Sequence, residues 1–176
     1  LDAVARVGAR FGLELHRGKF QLIGARCTMR LKRQDGQLVE EKEAMTYLGT
    51  SVAADGTISG ELARRLGSAW SEYIKLQQLW KHTTLSRSRK IEIFQAAIVS
   101  KLLYGLSTVW LNVSALRRLD GFQSRCLRAI VGVKPAYVSR VSNEMVRSMA
   151  KQVKLSRQLS KQQLLLFGKI ARASDT

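Results

Sequence analysis

Apolar residues recur at two different periods along this chain. Residues 1–56 carry them mostly in short alternating runs; residues 57–176 carry them every three to four positions. In the first region, Leu1–Phe11 places Val4, Val7 and Phe11 on one face and predicts a helix that Gly12 is placed to stop. Phe20–Ile23 and Cys27–Lys32 predict short strands; in the second, Thr28, Arg30 and Lys32 alternate with Met29 and Leu31. Asp35-Gly36 predicts a hairpin turn, because glycine tolerates the positive φ such turns require, and Leu38–Glu43 is its return strand. Met45–Val52 predicts one more strand before Asp55-Gly56 punctuates the chain.

The second region predicts helices. Ser59 is a candidate N-cap with Glu61 in the first turn. Leu62, Leu66, Ala69, Trp70, Tyr73, Leu76 and Trp80 then form one apolar stripe, with Arg64 and Lys75 on the opposite side. The stripe assigns Trp70, Tyr73 and Trp80 to the core, whereas Trp110 falls at a helix end. Ser86 is placed to cap a second helix reaching about Trp110. Ile91, Phe94, Ile98, Leu102 and Val109 share a face of it, and Lys101 is its one charge between Ile93 and Leu106. A helix apolar nearly all round is a buried one.

Ser114 is the expected cap of a third helix, to about Val131, with Leu116, Leu119, Cys126, Leu127 and Ile130 inward. Arg117, Arg118, Arg125 and Arg128 fall within an outer arc of roughly 100°. Gly132 and Pro135 end it, and Ser142–Val153 and Ser156–Ala173 predict two more helices. The expected class is α+β, mainly α. A small strand-rich segment (1–56) precedes a basic three-helix bundle (57–135) and a further helical extension (136–176).

Charge changes the picture most. The 30 Lys+Arg against 13 Asp+Glu give +17 overall. Residues 1–56 hold nine basic and seven acidic residues, whereas residues 57–176 hold 21 and six. The excess is a property of the helical part. Such a body calls for an anionic partner, and a phosphate backbone fits best, because neutralising phosphates releases condensed counterions. Arg87, Arg89 and Lys90, near a helix start, oppose the helix dipole by a few tenths of a kcal/mol, which an anion would offset. No run approaches the roughly 18–20 apolar residues of a membrane span, and no basic-then-apolar leader opens the chain. The expectation is an intracellular chain, nuclear or cytoplasmic, with no membrane partner. Cys27 and Cys126, with His16 and His82, lack metal-ligand spacing. The opening Leu1-Asp2-Ala3, without an initiator Met, reads as a fragment.

Several stretches go beyond periodicity. Phe11-Gly12-Leu13-Glu14-Leu15 followed by Lys19, and then Tyr47-Leu48-Gly49, resemble the fourth and fifth motifs of reverse transcriptase palms. Leu102-Leu103-Tyr104-Gly105 resembles an "LLYG" element. Leu119-Asp120-Gly121-Phe122-Gln123-Ser124-Arg125-Cys126-Leu127-Arg128 resembles an "L-x-x-F-Q-x-R-C-L-R" segment. Residues 165–172 look like "W-x-G-H-x-x-R", with Phe167 for Trp and Lys169 for His. In order and spacing, over about residues 1–172, they resemble the C-terminal palm and thumb of a non-LTR (LINE-type) retrotransposon reverse transcriptase. Two positions depart from the motif: family members have Asn near His16, and Thr where this chain has Phe20.

The resemblance implies a palm end over 1–56, a thumb-like bundle over 57–135 and a connector-like extension over 136–176. It implies that Lys19 protonates the leaving pyrophosphate, and that Tyr47, Leu48 and Gly49 grip the primer. The helical part would hold an RNA–DNA primer–template duplex through Arg64, Lys75, Arg87, Arg89, Lys90, Arg117, Arg118, Arg125 and Arg128. Such contacts read backbone and shape rather than sequence. Mg²⁺ is expected for the parent enzyme, on an Asp of an early palm strand and an Asp-Asp pair upstream. This chain has no Asp-Asp pair, so no cofactor of its own is expected and the chain alone is inactive. The fingers and palm of the same polypeptide would be its partners. A non-enzymatic RNA- or DNA-binding helical module, such as a decayed transposon remnant, is the alternative.

Overall fold

The computed structural model describes residues 2–14, 16, 21–24, 30–32, 36–47, 49–54, 59–81 and 84–173. Lys19, Cys27, Asp35, Leu48, Asp55-Gly56 and His82 lie outside the described residues, as do parts of both early strand expectations. The protein is α+β and mainly helical, and divides into two compact units, Leu1–Glu61 and Leu62–Thr176. No described helix is long and apolar enough to cross a membrane.

In the first unit, α1 spans Asp2–Ala9. Gly12, at φ 70, turns the chain beyond it, and the Leu13 N–H returns to the Gly8 carbonyl. The face carrying Val4, Val7 and Phe11 is exposed. Lys32 pairs with Leu38 in an antiparallel bridge, and Gly36 between them is at φ 81. The Met45–Val52 expectation is corrected. The segment is a hairpin of β1 (Ala44–Tyr47) and β2 (Thr50–Ala53), with Tyr47 opposite Thr50 and Gly49 at φ 78 in the turn. A two-residue turn keeps the alternation in step, so the pattern reads through it as one strand.

The second unit is built around α6 (Val113–Val131). Against it pack α3 (Gln77–Lys81), α4 (Arg87–Ile93), α8 (Asn143–Met149) and α9 (Leu155–Ala173). The stripe of α2 (Ser59–Lys75) buries Leu62, Ala69 and Tyr73 and continues into Trp80 on α3 after a break at Leu76. Ser59 is the first helical residue rather than the cap.

Ser86 does cap α4, accepting the Arg89 N–H. The helix widens into a π-helical segment, Phe94–Val99, and closes as α5, Ser100–Leu103. Phe94, Ile98, Val99, Leu102 and Leu103 are buried, as expected of the core helix. It stops well short of Trp110, because Gly105 takes φ 71 and a 3₁₀ turn, Leu106–Thr108, follows.

Asn112, not Ser114, caps α6, its Oδ1 accepting the Ala115 N–H at 2.8 Å. Gly132 (φ 77) ends α6, and the Val133 N–H returns to the Arg128 carbonyl. A short α7 (Ala136–Ser139) precedes α8, which Ser142 caps and which ends at Met149 rather than Val153. Residues 136–176 belong to the same unit as the bundle before them.

Candidate nucleic-acid interface

The segment Leu119–Arg128 is a packing hub, and most of it faces inward. Leu119, Cys126 and Leu127 are fully buried. Asp120 accepts the N–H and hydroxyl of Ser156. Gln123, also fully buried, donates to the Val153 carbonyl at 2.7 Å and accepts the Leu155 N–H at 3.3 Å. Together they satisfy the start of α9, whose first N–H groups have no partner within their own helix. Ser124 accepts from Arg147 at 3.1 Å.

Arg128 requires a correction. Its helical angle puts it on the outer arginine face, but it is buried. Its guanidinium donates to Asn143 Oδ1 (2.8 and 3.2 Å), to the Val141 carbonyl at 2.6 Å and to the Lys134 carbonyl at 3.1 Å. The fork geometry of arginine suits three acceptors spread over one loop. The loop 132–143 folds back over a position that would otherwise face outward.

Lys90 is corrected in the same way: it is buried, and Nζ donates to the Trp80 carbonyl at 2.9 Å. Arg89 is exposed and bonded to Glu92 at 2.8 Å, and Arg87 is exposed beside it. Arg64 is exposed; Lys75 is exposed and 3.6 Å from Glu72. Glu72 also takes a bond from Lys101 at 3.0 Å, and that bond and its charge hold the Glu72 carboxyl below its ordinary range.

Arg117, Arg118 and Arg125 remain exposed on α6, with no carboxylate in ion-pair range among the described residues. Arg125 lies over the Trp70 ring, 5.6 Å from its centroid. Trp70 stacks on Tyr73 (5.4 Å) and Tyr73 on Trp80 (5.3 Å). Tyr73 and Trp80 are buried, so these rings are core, while Trp110 is 85% exposed.

Tyr73 donates to the Cys126 carbonyl at 3.4 Å. Burial pushes the Cys126 thiol up to about 12 and raises the Tyr73 hydroxyl as well. Neither group is a nucleophile at neutral pH.

In the first unit, Tyr47 is exposed at the end of β1, and Gly49 sits in the turn beside it. Among the described residues no group of three His, Cys, Asp or Glu could hold a metal ion. Leu38 and Glu41 make isolated bridges, to Lys32 and Leu22, and the expected return strand Leu38–Glu43 does not form as a continuous strand.

Sequence reasoning missed Asp120 and Gln123 as anchors; their i, i+3 spacing on the α6 face was the available signal. It also missed Arg65, which lies over the Tyr104 ring at 5.6 Å. Compared with known protein families, curated proteins and solved structures, the chain matches none of them.

Proposed function

We propose that this chain is the post-catalytic part of a LINE-type RNA-directed DNA polymerase, gripping the primer–template duplex and inactive alone. The observation that supports it best is the exposed set Arg117, Arg118 and Arg125 on one helix, with no carboxylate in ion-pair range among the described residues, in the part of the chain holding 21 of 30 cations. Cations of that kind contact phosphates and position a duplex without reading bases. Arg64, Lys75, Arg87 and Arg89 are further exposed cations, Lys75 and Arg89 being paired with Glu72 and Glu92; Arg128 and Lys90 instead hold the bundle together. The Tyr47–Gly49 hairpin turn would rest against the primer end, and Lys19 would protonate the leaving pyrophosphate in the assembled enzyme. Mg²⁺ would be held by the upstream carboxylates of the parent palm.

The test has two arms. The 176-residue chain should bind an RNA–DNA hybrid with a steep salt dependence. Joined to fingers and palm carrying intact Asp residues, it should support Mg²⁺-dependent primer extension. Hybrid binding with no extension from the joined protein would favour the non-enzymatic binding module. No hybrid binding at all would reject both.

A further inference from the structure

Within the second unit a cleft of about 520 Å³ opens between the end of the core helix and α9. That volume lies in the range of small-ligand sites. Tyr104, Ser107, Gln158 and Gln162 line it over a floor of Val99 and Leu103. Among the described residues no charged side chain lines it, in a chain of +17.

Tyr104 is 61% exposed even though the Arg65 guanidinium covers one ring face, so the other face is open. Tyr104 leaves the helix at φ −54, ψ 124, and Gly105 follows at φ 71. Gln158 and Gln162 stand one turn apart on α9. Their side-chain amides have no hydrogen-bond partner among the described residues.

A phosphate site would need cations or a nest of N–H groups. This cleft instead offers an open aromatic face, paired amides and an apolar floor. Those are what an unpaired base needs: a stacking platform, and donors and acceptors for its edge.

We propose that this cleft holds one unpaired nucleobase of a single strand extending from the bound duplex. The base stacks on Tyr104 and its edge meets Gln158 and Gln162. The inference rests on the duplex-binding reading above but uses different residues.

The probes are a blunt RNA–DNA hybrid, the same hybrid with a three-nucleotide overhang on either strand, and abasic versions of those overhangs. Affinities are measured by fluorescence anisotropy at fixed salt. One overhang should tighten binding by about tenfold over the blunt duplex, and its abasic version should not. Tyr104→Ala should remove the gain, Tyr104→Phe should keep it, and Gln158→Leu with Gln162→Leu should reduce it. Blunt-duplex affinity and helical circular dichroism should stay unchanged throughout.

Equal binding of blunt and overhang duplexes overturns the base cleft while leaving the duplex reading intact. So does a gain that survives Tyr104→Ala. Failure to bind any of these probes overturns both.

Discussion

Asp120 on α6 accepts two hydrogen bonds from Ser156 at the start of α9, one from the backbone N–H at 2.9 Å and one from the hydroxyl at 2.8 Å. The cap of α9 is thus supplied from another helix, and helix pairing and helix initiation become one event. Asp120→Ala should cost about 1–2 kcal/mol, the range of a missing N-cap. Ser156→Ala should cost less, because its backbone bond survives. A double-mutant cycle read by urea denaturation should give a coupling of about 0.5–1 kcal/mol. A coupling of zero would mean the pairing contributes nothing to stability.

Gln123 makes the neighbouring contacts from full burial, so its removal leaves both a void and unmet backbone groups. Gln123→Leu keeps most of the volume and removes the bonds. It should destabilise by about 2–3 kcal/mol, the cost of leaving buried polar groups unsatisfied. Hydrogen exchange should accelerate at Leu155 and Ser156 before it does in α6. Uniform acceleration would show that the two helices do not separate locally.

These anchors mark what was legible in the sequence. The apolar stripes named the buried faces of α2, the core helix and α6, because burial follows helical angle wherever a helix has one neighbouring layer. Ser86 and Gly132 were legible as cap and stop residues, because their chemistry is local. Arg128 was not, since its burial depends on a loop up to 15 residues further on. Ser114 was expected where Asn112 caps, because both side chains can accept an N–H three residues on. The apolar period carries the core helix on to Trp110, because Leu106 and Val109 keep it after Gly105 has already turned the chain.

Alkaline pH should reach the core through the contact between Tyr73 and Cys126. The Cys126 thiol is pushed from an ordinary 9.0 to about 12 by burial, and the Tyr73 hydroxyl is raised too. Both groups release protons more readily unfolded than folded, so the unfolded state binds fewer protons at high pH and stability falls as pH rises. The decline from Cys126 begins near pH 9 and grows until about pH 12. Thermal melts across that window should show a decrease that Cys126→Ala reduces. Native Cys126 should also resist alkylation at pH 8 until denaturant is added; rapid labelling of the folded protein would contradict its burial.

The arginines of α6 separate stability from binding. Arg128 is a buried tether, whereas Arg117 and Arg118 touch no acid among the described residues. Arg128→Ala should therefore destabilise by about 3 kcal/mol, as expected when a buried, hydrogen-bonded charge is removed and its acceptors are orphaned. Arg128→Lys should rescue little of this, because a point charge cannot span three acceptors. Below its unfolding transition, Arg128→Lys should bind a hybrid duplex with an unchanged salt slope. Replacing Arg117, Arg118 and Arg125 with Ala should do the reverse. Stability should stay within about 0.5 kcal/mol for Arg117 and Arg118, with a further decrease of about 0.5–1 kcal/mol where Arg125 leaves the Trp70 ring. The magnitude of the slope of log K against log salt should fall by about 0.9 for each phosphate no longer neutralised, or nearly three in all. If the triple variant keeps the full slope, the duplex lies elsewhere on the bundle. If Arg128→Lys flattens the slope while the protein remains folded, the buried tether also shapes the binding face.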